Sequence, residues 1–307
     1  MKKINILLLG AGKRLSLVER FHESAKKYNL NLAFYSIENT HDVPLQACSE
    51  IIIGPKWEHQ EFNNFLSDTI DKFQIDIVLP LMDGAVESLA IFKESFQKEC
   101  TIFVGSVNSA YQLVDKELTN IFCDQYAIPR IPDSSSKFPI FVKPKKGFGS
   151  KGISILENLD QLTKFKKENN HNNFLFQEHY PGEEFTFDCW VDDKEFFFSP
   201  RKRLSVSAGE VSTSVTVEDY GLTLIANNFL QSINWYGPLT FQVMKYNEEL
   251  YLMEANGRLG GGVINSIESG FDICSKILCE HLQKKLKLNS RAGCKMMRAN
   301  REVFKWL

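Results

Sequence analysis

The sequence predicts a two-part protein: a Rossmann-like parallel-sheet domain at residues 1–105, then an α+β region at residues 106–307. Three observations carry that expectation. The chain has 307 residues, which at about 150 residues per domain means about two domains. Up to about Val104, short continuous apolar runs alternate with helical periodicity, the pattern of βαβ units whose strands are covered on both faces. From Pro139 the runs alternate apolar and polar residues between turn signals, the pattern of antiparallel strands with one wet face.

In order, Ile4–Leu9 is an unbroken apolar run ending in Gly10-Ala11-Gly12. Leu32–Ser36, Glu50–Ile53, Asp76–Pro80 and Thr101–Val104 are the next strand candidates. Between them Phe62, Phe65, Leu66, Ile70 and Phe73 recur on one helix face. Ala110–Tyr126 reads as a single helix, and the Pro- and Ser-rich stretch 128–136 as a surface connection. Strands are expected at Pro139–Pro144, Gly152–Leu156, Phe174–Glu178, Phe185–Val191, Glu195–Arg201, Pro238–Lys245 and Leu250–Asn256, with a hairpin at Tyr246-Asn247-Glu248-Glu249. Helices are expected near Asn158–Glu168, Leu222–Ile233 and Phe271–Leu286.

Composition excludes several classes. Basic and acidic residues, 36 against 38, leave a net charge of −2, so neither nucleic acid nor a membrane surface is an expected partner. No run of about 18 apolar residues exists to span a bilayer. Lys2-Lys3 before Ile4–Leu9 imitates a signal peptide, but the apolar stretch is short and Lys13-Arg14 interrupts it. The 7 Cys are scattered without a C-x-x-C pair and the 6 His without ligand spacing. A disulfide framework and a zinc site are therefore not expected, and a reducing cytoplasm is.

Four constellations can carry chemistry. Gly10-Ala11-Gly12 after a strand, with Glu38 further on, is the start of a dinucleotide fingerprint, but Leu15 stands where the third glycine belongs. It is equally the tight strand-to-helix turn of a fold with many functions. The stretch Lys143 to Gly152 joins two strands with three glycines, a serine and three further lysines; its backbone N–H groups can approach phosphate oxygens where no Cβ intervenes. It lacks the ending of a Walker A loop, and a solvated basic hairpin has the same composition. Glu254 and Asn256 share one face of a strand, and Gln242 lies across the hairpin, so three oxygen-bearing side chains can converge. Such oxygens suit magnesium when nucleotide phosphates complete its shell, and Arg258 follows at the same alternation. Finally, the strand Phe174–Phe176 runs through Gln177, Glu178 and Tyr180 into Glu183-Glu184; an extended backbone there can read an adenine edge while a carboxylate takes ribose hydroxyls, and a plain surface hairpin has the same signals.

In this order the landmarks resemble the ATP-grasp superfamily, close to its carbamoyl-phosphate-synthase-like and amino-acid-ligase branches. The resemblance covers most of the chain: the preceding α/β domain, Asp115-Lys116, the Lys143 strand with its glycine loop, the Gln177–Glu184 hinge, and Gln242 with Glu254-x-Asn256-x-Arg258. It implies a two-lobed ATP-grasp fold, with a nucleotide lobe at about 115–178 and a metal and substrate lobe at about 179–290. It implies that Lys116 and Lys143 touch ATP phosphates under a mobile flap containing Gly147, Gly149, Ser150 and Gly152. Glu178 and Tyr180 would offer backbone groups to adenine beside the Gln177 side chain, and Glu184 would take the ribose. Gln242, Glu254 and Asn256 would hold magnesium, or manganese in its place, with Gln242 where many relatives have an acid. Arg258 would sit near the transferred phosphate, and Arg203 and Glu210 near the acceptor. Strand alternation adds Phe141 beside Lys143 and Leu252 beside Glu254, placed to sandwich adenine or to pack as core.

The implied reaction is ATP-dependent ligation of a carboxylate to an amine through an acyl phosphate, on small molecules such as amino acids, with ADP and phosphate released and with a homodimer as one possible assembly. Arg14 and Asp83, at the carboxyl ends of N-terminal strands, are positioned either to hold a small substrate or to serve as a helix start and a loop cap. The alternatives are a carbamoyl-phosphate-type phosphorylating subunit, a nicotinamide oxidoreductase built on Gly10-x-Gly12, and a nucleotide-binding regulator without turnover.

Overall fold

The structure is a computed structural model and describes every residue except Phe148, Ser150, Ala208 and 305–307. The first strands are β1 (Lys2–Leu9), β2 (Leu30–Glu38), β3 (Glu50–Ile53), β4 (Ile77–Pro80) and β5 (Thr101–Ile102). They pair in parallel in the order β3-β2-β1-β4-β5. Helices α1 (Leu15–Lys27), α2 (Phe62–Phe73) and α3 (Asp83–Ser95) connect them. Leu17, Val18, Phe21 and Ala25 of α1 recur on one helical face, and all four are buried.

The expected single helix at 110–126 is two helices, α4 (Val107–Val114) and α5 (Lys116–Gln125). Asp115 has an extended backbone, and its carboxylate accepts the Glu117 and Leu118 N–H groups at 2.9 and 3.4 Å. A short acidic side chain in that role starts a helix, so the apolar periodicity runs through a boundary that the cap imposes.

Strands β6 (Ile140–Pro144), β7 (Ser154–Leu156) and β8 (Phe174–Glu178) form a three-stranded sheet, β7-β6-β8. Helix α6 (Leu159–Glu168) covers it, burying Leu162 on Ile140, Val142 and Leu156. The remaining strands are β9 (Glu183–Val191), β10 (Phe196–Ser207), β11 (Glu210–Thr216), β12 (Gly237–Tyr246), β13 (Glu249–Asn256) and β14 (Lys295–Met297). They form an antiparallel sheet in the order β13-β12-β9-β10-β11-β14. Helices α7 (Tyr220–Ser232), α8 (Val263–Glu268) and α9 (Ile273–His281) follow, and short 3-10 helices stand at Pro44–Ala47 and His171–Asn173.

Two features of this sheet position the site. Gln242 pairs with Glu254, but Val243 pairs with Leu252, so Met253 is a bulged extra residue on β13. The bulge reverses the faces on either side of it. Leu252 and Ala255 both lie in the core, whereas Glu254 and Asn256 are partly exposed on the other face. The expectation that Leu252 stands beside Glu254 is therefore corrected: Leu252 is 1% exposed and packs as core. The second feature is a core shared by both halves of the chain. Leu9 and Val86 belong to one apolar cluster with Phe187, Trp235 and Ala255, and Ile6 and Phe21 to another with Trp190 and Phe271.

Candidate active site

Lys143 stands on β6 at 6% exposure, and its Nζ donates to the Met253 carbonyl at 3.0 Å. The bulge thus provides the acceptor that orients the lysine. Burial lowers the Lys143 pKa to about 8; Lys116 pushes the same way, while Glu254 and Asp133 oppose. Lys116 is the first residue of α5. Its Nζ donates to the Gly147 carbonyl at 2.9 Å and lies 4.0 Å from Glu254 Oε2. A cation at a helix N-terminus opposes the helix dipole, so this placement favours a third, anionic party.

From Glu254 a chain of polar contacts crosses the antiparallel sheet. Gln242 Nε2 donates to Glu254 Oε1 at 2.7 Å, and Arg203 Nη1 donates to Gln242 Oε1 at 2.7 Å. The same Arg203 Nη1 lies 3.2 Å from Glu184 Oε2. On the other side, Arg258 Nη2 donates to Asn256 Oδ1 at 3.4 Å and its Nε to Asp83 Oδ1 at 2.6 Å. The geometry therefore joins Lys116, Lys143, Glu184, Arg203, Gln242, Glu254, Asn256 and Arg258 in one cleft.

The trio of Glu254, Gln242 and Asn256 fits magnesium by donor chemistry. Among the described residues no group of three His, Cys, Asp or Glu side chains is arranged to hold a metal ion. One carboxylate and two amides on facing strands carry hard oxygens with little charge, but Gln242 turns its Nε2 toward Glu254 and gives its Oε1 to Arg203, and Asn256 Oδ1 meets Arg258, so both amides would have to exchange these partners for a metal.

The nucleotide-base region differs from the expectation in detail. The Gln177 side chain is 1% exposed and donates to the Ile131 carbonyl at 3.0 Å, so it ties the 128–136 connection to β8. The Glu178 N–H donates to the Pro132 carbonyl at 2.9 Å, and its carboxylate meets Lys137 Nζ at 2.6 Å. That N–H is consequently engaged within the protein. Tyr180 stacks on Tyr246 at 4.5 Å, and Phe141 lies parallel to the His179 ring at 6.2 Å. Phe141 and Tyr180 thus provide aromatic surface at this end of the cleft, and Leu252 does not.

In the glycine loop, Gly147 and Gly149 have positive φ, as does Gly152, which abuts Pro144. Ser150 lies outside the described residues. Lys145 pairs with Glu117 and Lys146 with Glu87, both at 2.7 Å. The Gly149 backbone meets Gly209, where an added Cβ would fall 2.5 Å from a Gly149 backbone atom. The loop therefore touches the turn between β10 and β11 across the cleft.

Gly10-Ala11-Gly12 is a structural turn. The Glu38 carboxylate accepts the Ala11 and Gly12 N–H groups as well as the Ser36 hydroxyl, the last at 2.6 Å, and burial raises its pKa. A protein carboxylate sits on the N–H groups that a dinucleotide pyrophosphate would need.

A family model described as "ATP-grasp in the biosynthetic pathway with Ter operon" matches residues 170–301, and one described as "PylC-like, N-terminal domain" matches residues 6–104. The chain is an ATP-grasp superfamily protein. A curated relative is the carbamoyl phosphate synthase arginine-specific large chain of Halalkalibacterium halodurans, 28% identical over 177 residues. That match takes in 48% of this chain and 16% of the relative, so the chain spans a small part of the relative's length. Among solved structures, N5-carboxyaminoimidazole synthetase from Staphylococcus aureus in complex with ADP has a TM-score of 0.76 at 15% identity, over 94% of this chain and 81% of that one. An L-amino acid ligase from Bacillus licheniformis has a TM-score of 0.71 at 14% identity, over 92% and 75%. Biotin carboxylase from Campylobacter jejuni has a TM-score of 0.72 at 14% identity, over 93% and 73%. At these identities the likeness shows the ATP-grasp fold with its preceding parallel-sheet domain. No described helix is long and apolar enough to cross a membrane.

Sequence reasoning missed several residues of this ATP-grasp cleft. Asp188 and Arg201 form a buried ion pair at 2.7 Å beneath the 257–262 loop, with Ser266 donating to Asp188 at 2.6 Å. Arg298 follows β14 and pairs with Glu210, and its Nη2 donates to the Gly261 carbonyl at 2.8 Å. A buried arginine inside the apolar run of β10 was a legible signal; the isolated Arg298 was not.

Proposed function

We propose that the chain is an ATP-dependent ligase that joins a carboxylate to an amine. The terminal phosphoryl group of ATP passes to the carboxylate, giving an acyl phosphate and ADP. The amine then attacks the acyl carbon, the C–O bond to phosphate breaks, and amide and phosphate leave. The observation that carries this reading is the convergence of Lys116, Lys143 and Arg258 on the strand pair bearing Glu254, Gln242 and Asn256. In-line phosphoryl transfer needs positioning and charge neutralisation more than covalent help. Lys143 and Lys116 would hold phosphate oxygens, Glu184 would meet the ribose from its place beside Arg203, and Arg258, set by Asp83, would face the transferred group. Glu254, Gln242 and Asn256 would hold magnesium, which supplies positive charge to the phosphates when bound. The amides of Gln242 and Asn256 add no charge of their own, which makes Glu254 the critical member.

The test is ADP release with paired small carboxylates and amines. Glu254→Gln, nearly isosteric, is expected to keep the fold and lose most turnover. Turnover equal to the parent at limiting magnesium would refute the metal assignment. A carbamoyl-phosphate-type phosphorylation is the second reading. It is favoured by Gln242 in place of an acid, as that branch has, and by the curated relative. Product identification with bicarbonate separates the two.

A further inference from the structure

The strand order β3-β2-β1-β4-β5 reverses between β1 and β4. Ligands of open α/β sheets sit outside the carboxyl ends of strands at such a switch. Arg14 follows β1 and Asp83 follows β4, so both border that crevice. Across it lies the 257–262 loop. A Cβ built on Gly261 would stand 3.1 Å from Arg14 Nη1, 3.6 Å from Arg298 Nη2 and 3.7 Å from Glu210 Oε2. Charged groups from three distant stretches of chain thus converge on a point that has no side chain of its own.

The charges there do not cancel. Arg201 has Asp188, Arg258 has Asp83, and Arg298 has Glu210. Among the described residues, the Arg14 guanidinium has no hydrogen-bond or ion-pair partner. Four guanidiniums face three carboxylates, which leaves one positive charge. Desolvation lowers the Arg14 pKa to about 10; Arg258 and Arg298 push the same way, and Glu210 and Asp188 oppose. It remains protonated at neutral pH, and a desolvated cation without a counterion is costly. A second observation points to the same place. Arg201 Nη1 is buried without a partner among the described residues, 2.5 Å from where a Gly262 Cβ would stand. Helix α1 also begins here, with no side-chain cap and no acid in its first turn, so its free N–H groups add positive potential.

Arg258 contacts Asn256, and in the same loop Gly261 adjoins Arg14, so this point neighbours the phosphoryl-transfer end. Resting on the ligase reading, we propose that Arg14, with Arg298, binds a second anionic group of the acceptor, distinct from the carboxylate that takes the phosphoryl group. The acceptor class is then a carboxylate bearing a further carboxylate or a phosphate monoester.

The test is calorimetric titration of the full chain, loaded with magnesium and ADP, with acetate, succinate and glycerol 1-phosphate. At least one dianionic probe is expected to bind tenfold or more tightly than acetate, and which one does so separates the carboxylate from the phosphate source. Arg14→Gln should abolish the preference and Arg14→Lys should restore part of it. The ADP affinity of each variant, read in the same titration, reports that it has folded. Equal binding of all three probes, no binding of either dianion, or a preference that survives Arg14→Gln would overturn the proposal. Release of AMP in place of ADP would instead defeat the ligase reading, and would leave this binding preference standing.

Discussion

Lys143 is half-deprotonated near pH 8 in the free protein, because burial outweighs the pull of Glu254. A triphosphate beside it restores the charge, so nucleotide binding should take up a proton near and above pH 8, and affinity should fall as pH rises through that range. Calorimetry at pH 8 in buffers of different ionisation enthalpy checks this; identical heats in all buffers would contradict it. Lys143→Met should weaken binding or transfer by about 1.5–3 kcal/mol, the scale of a lost charge-assisted hydrogen bond. Lys151→Met should cost less, since Lys151 is exposed in the loop. Equal losses in the two variants would deny Lys143 its special place. At this scale the sequence was informative wherever alternation held. Glu254 and Asn256 share a face, and Gln242 lies opposite, because a hairpin pairs them directly. Leu252 was misplaced because one bulged residue, Met253, shifts the register, and no residue type there announces a bulge. Gln177 was read by family likeness as a nucleotide contact; its Nε2 is given to the Ile131 carbonyl, whereas its Oε1 is buried without a partner among the described residues.

Among the elements, the break between α4 and α5 matters most for function. Asp115 caps α5 and so fixes where Lys116 projects. Asp115→Ala should cost about 1 kcal/mol of stability, the usual worth of an N-cap, and should weaken ATP binding along with it. Thermal unfolding and nucleotide titration measure both; a full-strength ATP site in the variant would mean that Lys116 is positioned by other contacts. The boundary was legible in principle, since an Asp before a new helical turn is a cap signal, but the continuous apolar periodicity masked it. Strand β11 alternates Val, Ser and Thr, whose polarity hides its β-branched character, and β14 is only 3 residues long. Those two strands carry Glu210 and precede Arg298, so the proposed acceptor side was less legible than the proposed nucleotide side.

The molecule as a whole is expected to unfold as one unit. Phe103 of the first half stacks on Tyr236 of the second at 5.3 Å, Ser24 and Lys27 of α1 both bond Asp272, and the large apolar clusters draw on both halves. Calorimetry should show a single transition with matching calorimetric and van't Hoff enthalpies; two resolved transitions would contradict the shared core. The division of the chain into a parallel and an antiparallel part was plain from periodicity, whereas their common core was not, because contacts across hundreds of residues leave no local pattern. That same packing brings Asp83 to Arg258 and Arg14 to Gly261, so the proposed reaction would take place at the junction. The central claim is that a carboxylate accepts the terminal phosphoryl group of ATP at this junction. The measurement that tests it most directly uses a carboxylate labelled with ¹⁸O, chosen from the pairs that support ADP release. One labelled oxygen should appear in inorganic phosphate for each amide formed. Amide formed with wholly unlabelled phosphate, or with AMP and pyrophosphate as products, would contradict it.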